Sequence, residues 1–211
     1  MKRFFVSLSI VALAGSMAMA ASIVGSAHDL SSDLGTNTEI CLPCHAPHNA
    51  GTSGPLWNHT ASAGGYTLYG ADSTTFDADD QGITGVSALC MSCHDDTIGV
   101  GSVINNKTGD ITDTNGTISA LFPLNTAADL GLDLSNDHPV SFTYDAALVS
   151  ADGGAGLNDP VADGIGTLEL FGASDNQLEC ATCHDVHDNA LGSFLVLDNA
   201  NSTLCRTCHT K

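Results

Sequence analysis

Cationic side chains are almost missing from this chain. Five Lys and Arg stand against 24 Asp and Glu in 211 residues, and two of the five are Lys2 and Arg3. Lys107, Arg206 and Lys211 are the rest. A nucleic-acid partner is thereby excluded, because phosphate binding needs cationic groups that displace counterions. The acidity favours cationic partners, metal ions and positively charged surfaces. Aromatic residues are few, at 5%, so side chains alone promise a thin core. No apolar run reaches the roughly 20 residues of a membrane-spanning helix, and no stable membrane insertion is expected. Methionine is nearly absent after the first 20 residues: Met1, Met17 and Met19 fall within them, and Met91 lies between two cysteines. No cysteine stands outside a repeated motif.

The first 20 residues have the pattern of a secretory signal peptide. Lys2 and Arg3 precede an apolar run over 4–14, and Ala18-Met19-Ala20 fits a small-x-small cleavage site. No cysteine follows that site to carry a lipid. The mature chain is expected to begin near Ala21 and to work outside the cell or at its surface, with the periplasm as the alternative.

Glycine is abundant, with 22 residues. Gly, Asn, Asp, Ser and Thr crowd 61–65, 105–119 and 153–166, which predicts loops. Short helices are expected at 88–94, 178–187 and 202–209. Short strands are expected around 99–104, 111–121 and 140–144. The expected fold is mostly loop, with short helices and a few short strands, wrapped around something other than side chains.

The eight cysteines say what that something is. They form four C-x-x-C-H motifs: Cys41, Cys44, His45; Cys90, Cys93, His94; Cys180, Cys183, His184; and Cys205, Cys208, His209. C-x-x-C-H is the attachment signature of c-type haem. Two thiols add to the two vinyl groups of one porphyrin, and the next residue supplies an imidazole to its iron. Disulfides, zinc sites and thioredoxin-like pairs also use paired cysteines, but none requires a histidine after every pair. Four covalently bound haem c groups are expected, and they account for the thin core.

The second axial ligands emerge by counting. Methionine is excluded, since Met91 sits inside a C-x-x-C loop. Five histidines remain: His28, His48, His59, His138 and His187. An internal repeat sorts them. Each half of the chain carries H-x-[LV]-S, then C-x-x-C-H-x-x-H, then C-x-x-C-H. His28 and His48 belong to the first half, and His138 and His187 to the second. His59 has no counterpart. The expectation is therefore four iron atoms capped distally by His28, His48, His138 and His187, with His59 spare. His187 lies too close to His184 along the chain to reach the opposite face of the same porphyrin, so it points to another iron, and the same holds for His48 and His45. Residues 21–211 are read as one tetrahaem domain, a pseudo-repeat of two dihaem halves at about 21–110 and 130–211.

Further segments add discrimination: HDLS at His28, PLWN at Pro55, LCMSCHD at Leu89, HPVSF at His138, ECATCHDVHD at Glu179 and the terminal LCRTCH. With these the chain resembles tetrahaem extracellular c-type cytochromes of the OmcE type, a family of cytochrome nanowires from metal-reducing microbes. The resemblance implies low-potential bis-histidine haems stacked in alternating parallel and T-shaped pairs. It also implies head-to-tail polymerisation, in which one axial histidine comes from the neighbouring subunit. His28, near the expected mature start, suits such an arm; binding of His28 within its own chain is the alternative.

The expected function is electron transfer to partner cytochromes and extracellular acceptors, not catalysis. A multihaem reductase for nitrite or hydroxylamine is the rival. It needs an iron with an open position and a basic entry for its anion, whereas this chain has histidines enough to close all four and almost no cations. Trp57 reads as a packing residue. Acidic segments at 77–80 and 110–115 read as solvated loops before Ca²⁺ sites. Asn106, Asn115 and Asn201 open glycosylation-type sequons.

Overall fold

The computed structural model describes residues 22–35, 39–70, 76–79, 82–106, 111, 116–124, 127–154 and 156–210. The expected signal peptide lies outside the described residues. So do Asp80, Lys107, Asp110 and Asn115, and with them parts of the acidic segments and sequons.

Regular structure is sparse, as the glycine content and the absence of long periodicity foretell. In chain order the elements are β1 (Thr67–Leu68), α1 (Gly85–His94), α2 (Ile118–Leu121), β2 (Asp133–Leu134), β3 (Phe142–Thr143), α3 (Ala146–Ala151), β4 (Gln177–Leu178), α4 (Cys180–Cys183), a 3₁₀ turn (Ala200–Ser202) and α5 (Thr203–Cys208). β1 pairs with β2 in parallel, Thr67 opposite Asp133. β3 pairs with β4 antiparallel, Phe142 opposite Leu178. Among the described residues no helix is long and apolar enough to cross a membrane.

Two of the three expected helices form nearly as read, α1 starting three residues early and α5 covering 203–208. The third is much shorter than the expected 178–187: α4 ends at Cys183, and His184 is extended, with φ −126° and ψ 131°. The strand expected over 111–121 is corrected as well: residues 118–121 form α2, where the N–H of Phe122 returns to the carbonyl of Ile118. The strand expected over 99–104 reduces to one bridge between Val103 and His59, and that over 140–144 to β3.

Apolar side chains gather in two small clusters. One contains Phe142, Tyr144, Ile165, Leu168, Leu178 and Leu204. The other contains Leu30, Leu34, Val100, Ile111 and Ile118. α1 packs on α4. The face that α1 buries is Ser87, Met91 and Ser92, spaced to share one side of the helix; two of the three are small enough to admit a close neighbour.

Asn58 ties the first motif to the loop after α1. Fully buried, it donates to the carbonyls of Leu42 (2.8 Å) and Asn105 (3.2 Å) and accepts from the N–H of Asn105 (2.8 Å). Each such bond contributes about 1 kcal/mol, and stranding its buried partners costs more. Asn58→Ala is expected to lower unfolding free energy by about 2–4 kcal/mol, read as a shift in the urea midpoint. A shift under about 0.5 kcal/mol would mean the loop is held some other way.

Candidate haem-iron centres

Each C-x-x-C-H motif is built as one helical turn. Three residues of separation put both thiols on the same face. The N–H of each closing histidine returns to the carbonyl of the first cysteine: His45 to Cys41 at 2.7 Å, His184 to Cys180 at 3.0 Å and His209 to Cys205 at 2.9 Å. Cys90 to His94 continue this pattern as the end of α1. After the turn the backbone opens. His184 and His209 are both extended, His209 with φ −102° and ψ 135°, so their imidazoles swing away from the sulfurs. The first motif makes the same turn without a helix. Pro43 there supplies no N–H, and the bond from His45 to Cys41 does not need one.

The histidines then meet in pairs. His28 and His94 have ring centroids 6.1 Å apart at 83°. His45 and His187 lie 6.2 Å apart at 19°. His138 and His209 lie 6.3 Å apart at 78°. Two imidazoles bound to opposite sides of one metal, each at about 2 Å and with its centroid roughly 1.1 Å farther out, stand about 6.2 Å apart. Each pair joins one C-x-x-C-H histidine to one histidine from outside its own motif. That spacing leaves room for a metal and a flat ring between the imidazoles.

Ring hydrogen bonds set the tautomers. Nδ1 of His94 lies 2.6 Å from the carbonyl of Ala128, Nδ1 of His138 2.8 Å from that of Pro139, and Nδ1 of His184 2.8 Å from that of Ser193. A carbonyl only accepts, so Nδ1 donates and Nε2 keeps its lone pair for a metal. His187 faces Asp185 through Nδ1 at 3.4 Å. His59 differs. It is fully buried, with Nδ1 3.0 Å from the carbonyl of Thr60 and Nε2 3.0 Å from that of Gly99. Both ring nitrogens face carbonyls, burial holds its pKa below the ordinary value, and the neutral ring donates its single N–H to one of the two. Its geometry is that of a core histidine.

His48 and His184 complete no pair of this kind. Both are exposed. His28, in contrast, has its Nδ1 buried without a hydrogen-bond partner, and it lies within its own chain against His94. Burial, together with the neighbouring His94, pulls its pKa down to about 4, which keeps the ring neutral and able to bind a metal. Trp57 packs edge-on against His45, at 5.9 Å and 87°.

The thiols reveal the order of the motifs. Cys93 lies near Cys44, Cys90 near Cys180, and Cys183 near Cys208. The interaction of the two thiols pushes Cys90 up and pulls Cys180 down. First, second, third and fourth motifs therefore adjoin in sequence order, with α1 on α4 at the centre. None of the eight cysteines is in a disulfide. Among the described residues no three His, Cys, Asp or Glu converge as a protein-only metal site. An apolar cleft lined by Tyr69, Phe76, Met91, Leu134 and Phe142 carries His138 and Cys180 on its walls. Paired sulfurs, imidazoles at metal-spanning distance and an apolar slot are what covalently attached haem requires, and the residues fit the group.

Sequence reasoning missed Phe194. Its ring stacks on His28 at 4.5 Å and 26°. Ser193 and Phe194 both have positive φ, 49° and 56°, a conformation that costs a non-glycine residue about 1–3 kcal/mol. There the Ser193 carbonyl receives His184 and Phe194 holds His28. A lone aromatic in a loop gives no periodicity by which to find it.

These centres make the chain a multihaem c-type cytochrome, with about four haems by its cysteine pairs. Residues 173–211, which hold the last two motifs, match the family model described as a doubled CXXCH motif. No curated protein matches the chain.

Proposed function

We propose that this cytochrome carries electrons through four haem c groups, each held between two imidazoles, and that it does so as a subunit of an extracellular filament of the OmcE type. Haem iron bound this way exchanges single electrons between its ferric and ferrous states. The observation that supports the reading most is the set of imidazole pairs at 6.1, 6.2 and 6.3 Å.

The internal repeat extends those pairs to the fourth. His28 pairs with the second motif of the first half, His94, and His138 pairs with the second motif of the second half, His209. His187, from the second half, crosses to His45 in the first. The matching crossing is His48 to His184, and those are the two histidines left over once the core histidine His59 is set aside. His45, His94, His184 and His209 thus serve as proximal ligands, and His187, His28, His48 and His138 as their distal partners. Each C-H-x-x-H segment binds two neighbouring centres and holds them close, as electron tunnelling requires.

Closed coordination favours a carrier over a reductase, because no iron is left open to a substrate. The charge of the chain argues the same way, since it repels small anions. Cys41 and Cys205, in the two outermost motifs, are exposed, which suits entry and exit of electrons at the two ends. A head-to-tail contact between such ends builds an open filament. Partner cytochromes and external acceptors would dock there. The cis position of His28 against His94 favours the second reading, a monomeric shuttle that needs no ligand from a neighbour.

Electron microscopy of the secreted fraction separates the two. Thin haem-staining fibres support the filament; dispersed particles alone would leave the shuttle. The ligand scheme has its own check in His48→Ala. One of the four haems is expected to turn high-spin and to bind carbon monoxide when reduced. Four unaltered low-spin haems would remove His48 from the scheme.

A further inference from the structure

Glu179 is a buried acid that the ligand scheme does not use. It is 2% exposed and directly precedes Cys180, the first residue of α4. Its carboxylate accepts from the hydroxyl of Ser87, from the N–H of Ser87 at 3.2 Å and from the hydroxyl of Ser141 at 3.0 Å. Ser87 lies on α1, three residues before Cys90, and its Oγ in turn accepts the N–H of Cys180 at 2.9 Å. The N–H of Glu179 is received by the hydroxyl of Thr182. Gly85, with φ +53°, opens α1 where any Cβ would collide with the Glu179 carboxylate. The acid is thus clamped in the seam between the second and third haem-attaching helices.

What the seam lacks is a cation. Among the described residues no Lys, Arg or His lies within ion-pair distance of Glu179. A buried carboxylate with no positive partner is costly, and hydrogen bonds offset only part of the cost. The positive charge that belongs beside it is that of oxidised haem. Ferric iron in a porphyrin dianion with two neutral imidazoles carries one net positive charge, and gaining an electron removes it.

We propose that Glu179 is a positioning residue that also lowers the reduction potentials of the two haems attached to α1 and α4. The inference rests on the haem reading above. Buried charge and hydrogen bonding near a haem are established levers on its potential, and a carboxylate in this seam stabilises the oxidised form of both neighbours at once. The second and third haems along the electron route are then held at lower potential than they would have without this carboxylate.

The test is a spectroelectrochemical titration of the haem-loaded protein and two variants. Glu179→Gln keeps the size and removes the charge; two of the four midpoints are expected to rise while the others stay. Ser141→Ala keeps the charge and strips one donor from it; the same two midpoints are expected to fall. A purely structural clip would lower thermal stability in both variants and leave the potentials alone. Four haems per chain with unmoved midpoints would overturn the proposal for Glu179 only. Should Glu179→Gln yield no folded protein, Ser141→Ala decides: a fall supports the proposal, and no shift overturns it. Fewer than four haems in the unaltered protein would overturn the reading beneath it.

Discussion

Replacing both Cys205 and Cys208 by serine is expected to leave a protein with three covalent haems in place of four, measured as the pyridine haemochrome of the purified chain. Serine hydroxyls do not add to the vinyl groups, so neither thioether forms at the fourth motif. The loss should not stay local. α5 carries both cysteines, and its Leu204, on the same face as Cys208, is buried with Tyr144 and Phe142. Tyr144 also donates its hydroxyl to the carbonyl of Asn158 in the segment that pairs with His209. Without the porphyrin, the 6.3 Å space between the His209 and His138 rings has nothing to fill it. Unfilled core space costs several kcal/mol in general, so the variant should also unfold at distinctly lower denaturant. A variant that retains four haems would show that the motif is not an attachment site.

His187→Ala makes the sharper contrast. The His187 side chain is 64% exposed and its one polar contact is with Asp185 at 3.4 Å. For an ordinary surface histidine, the change would be worth within about 0.5 kcal/mol and would alter no spectrum. As the partner of His45 across an iron, its loss opens one coordination position. The expected result is one high-spin haem out of four, a new carbon monoxide complex on reduction, and a higher potential for that centre. Spectra matching the unaltered protein would strike His187 from the ligand set, whatever its distance from His45.

Much of the site was legible in the sequence because its rules are local. Two thiols and a histidine at C-x-x-C-H spacing already describe one helical turn, and that turn forms at the first motif as well, where no helix follows. The repeat singled out His28, His48, His138 and His187; the rings of His28, His138 and His187 each lie near a motif histidine, while His48 is exposed and lies in no such pair. His59 was set aside for want of a counterpart, and it is fully buried with both ring nitrogens facing carbonyls. What failed to read was what depends on distant contacts. The helix expected over 178–187 stops at Cys183 because His184 must turn its ring off the helical turn, a demand that outweighs any helical preference of residues 185–187. The stretch 111–121 looks strand-like from its Ile and Thr content, yet 118–121 closes as a turn of helix against Leu30 and Leu34. Glu179 appeared as one more acid among 24; only the approach of Ser87 and Ser141, from elements far away in sequence, distinguishes it.

The central claim is four covalently held iron centres, each closed on both sides by imidazole. Electron paramagnetic resonance of the fully oxidised protein, integrated against its polypeptide concentration, tests this most directly. The account predicts low-spin ferric signals summing to four per chain. A total below four, or a high-spin signal amounting to one haem or more, would contradict it.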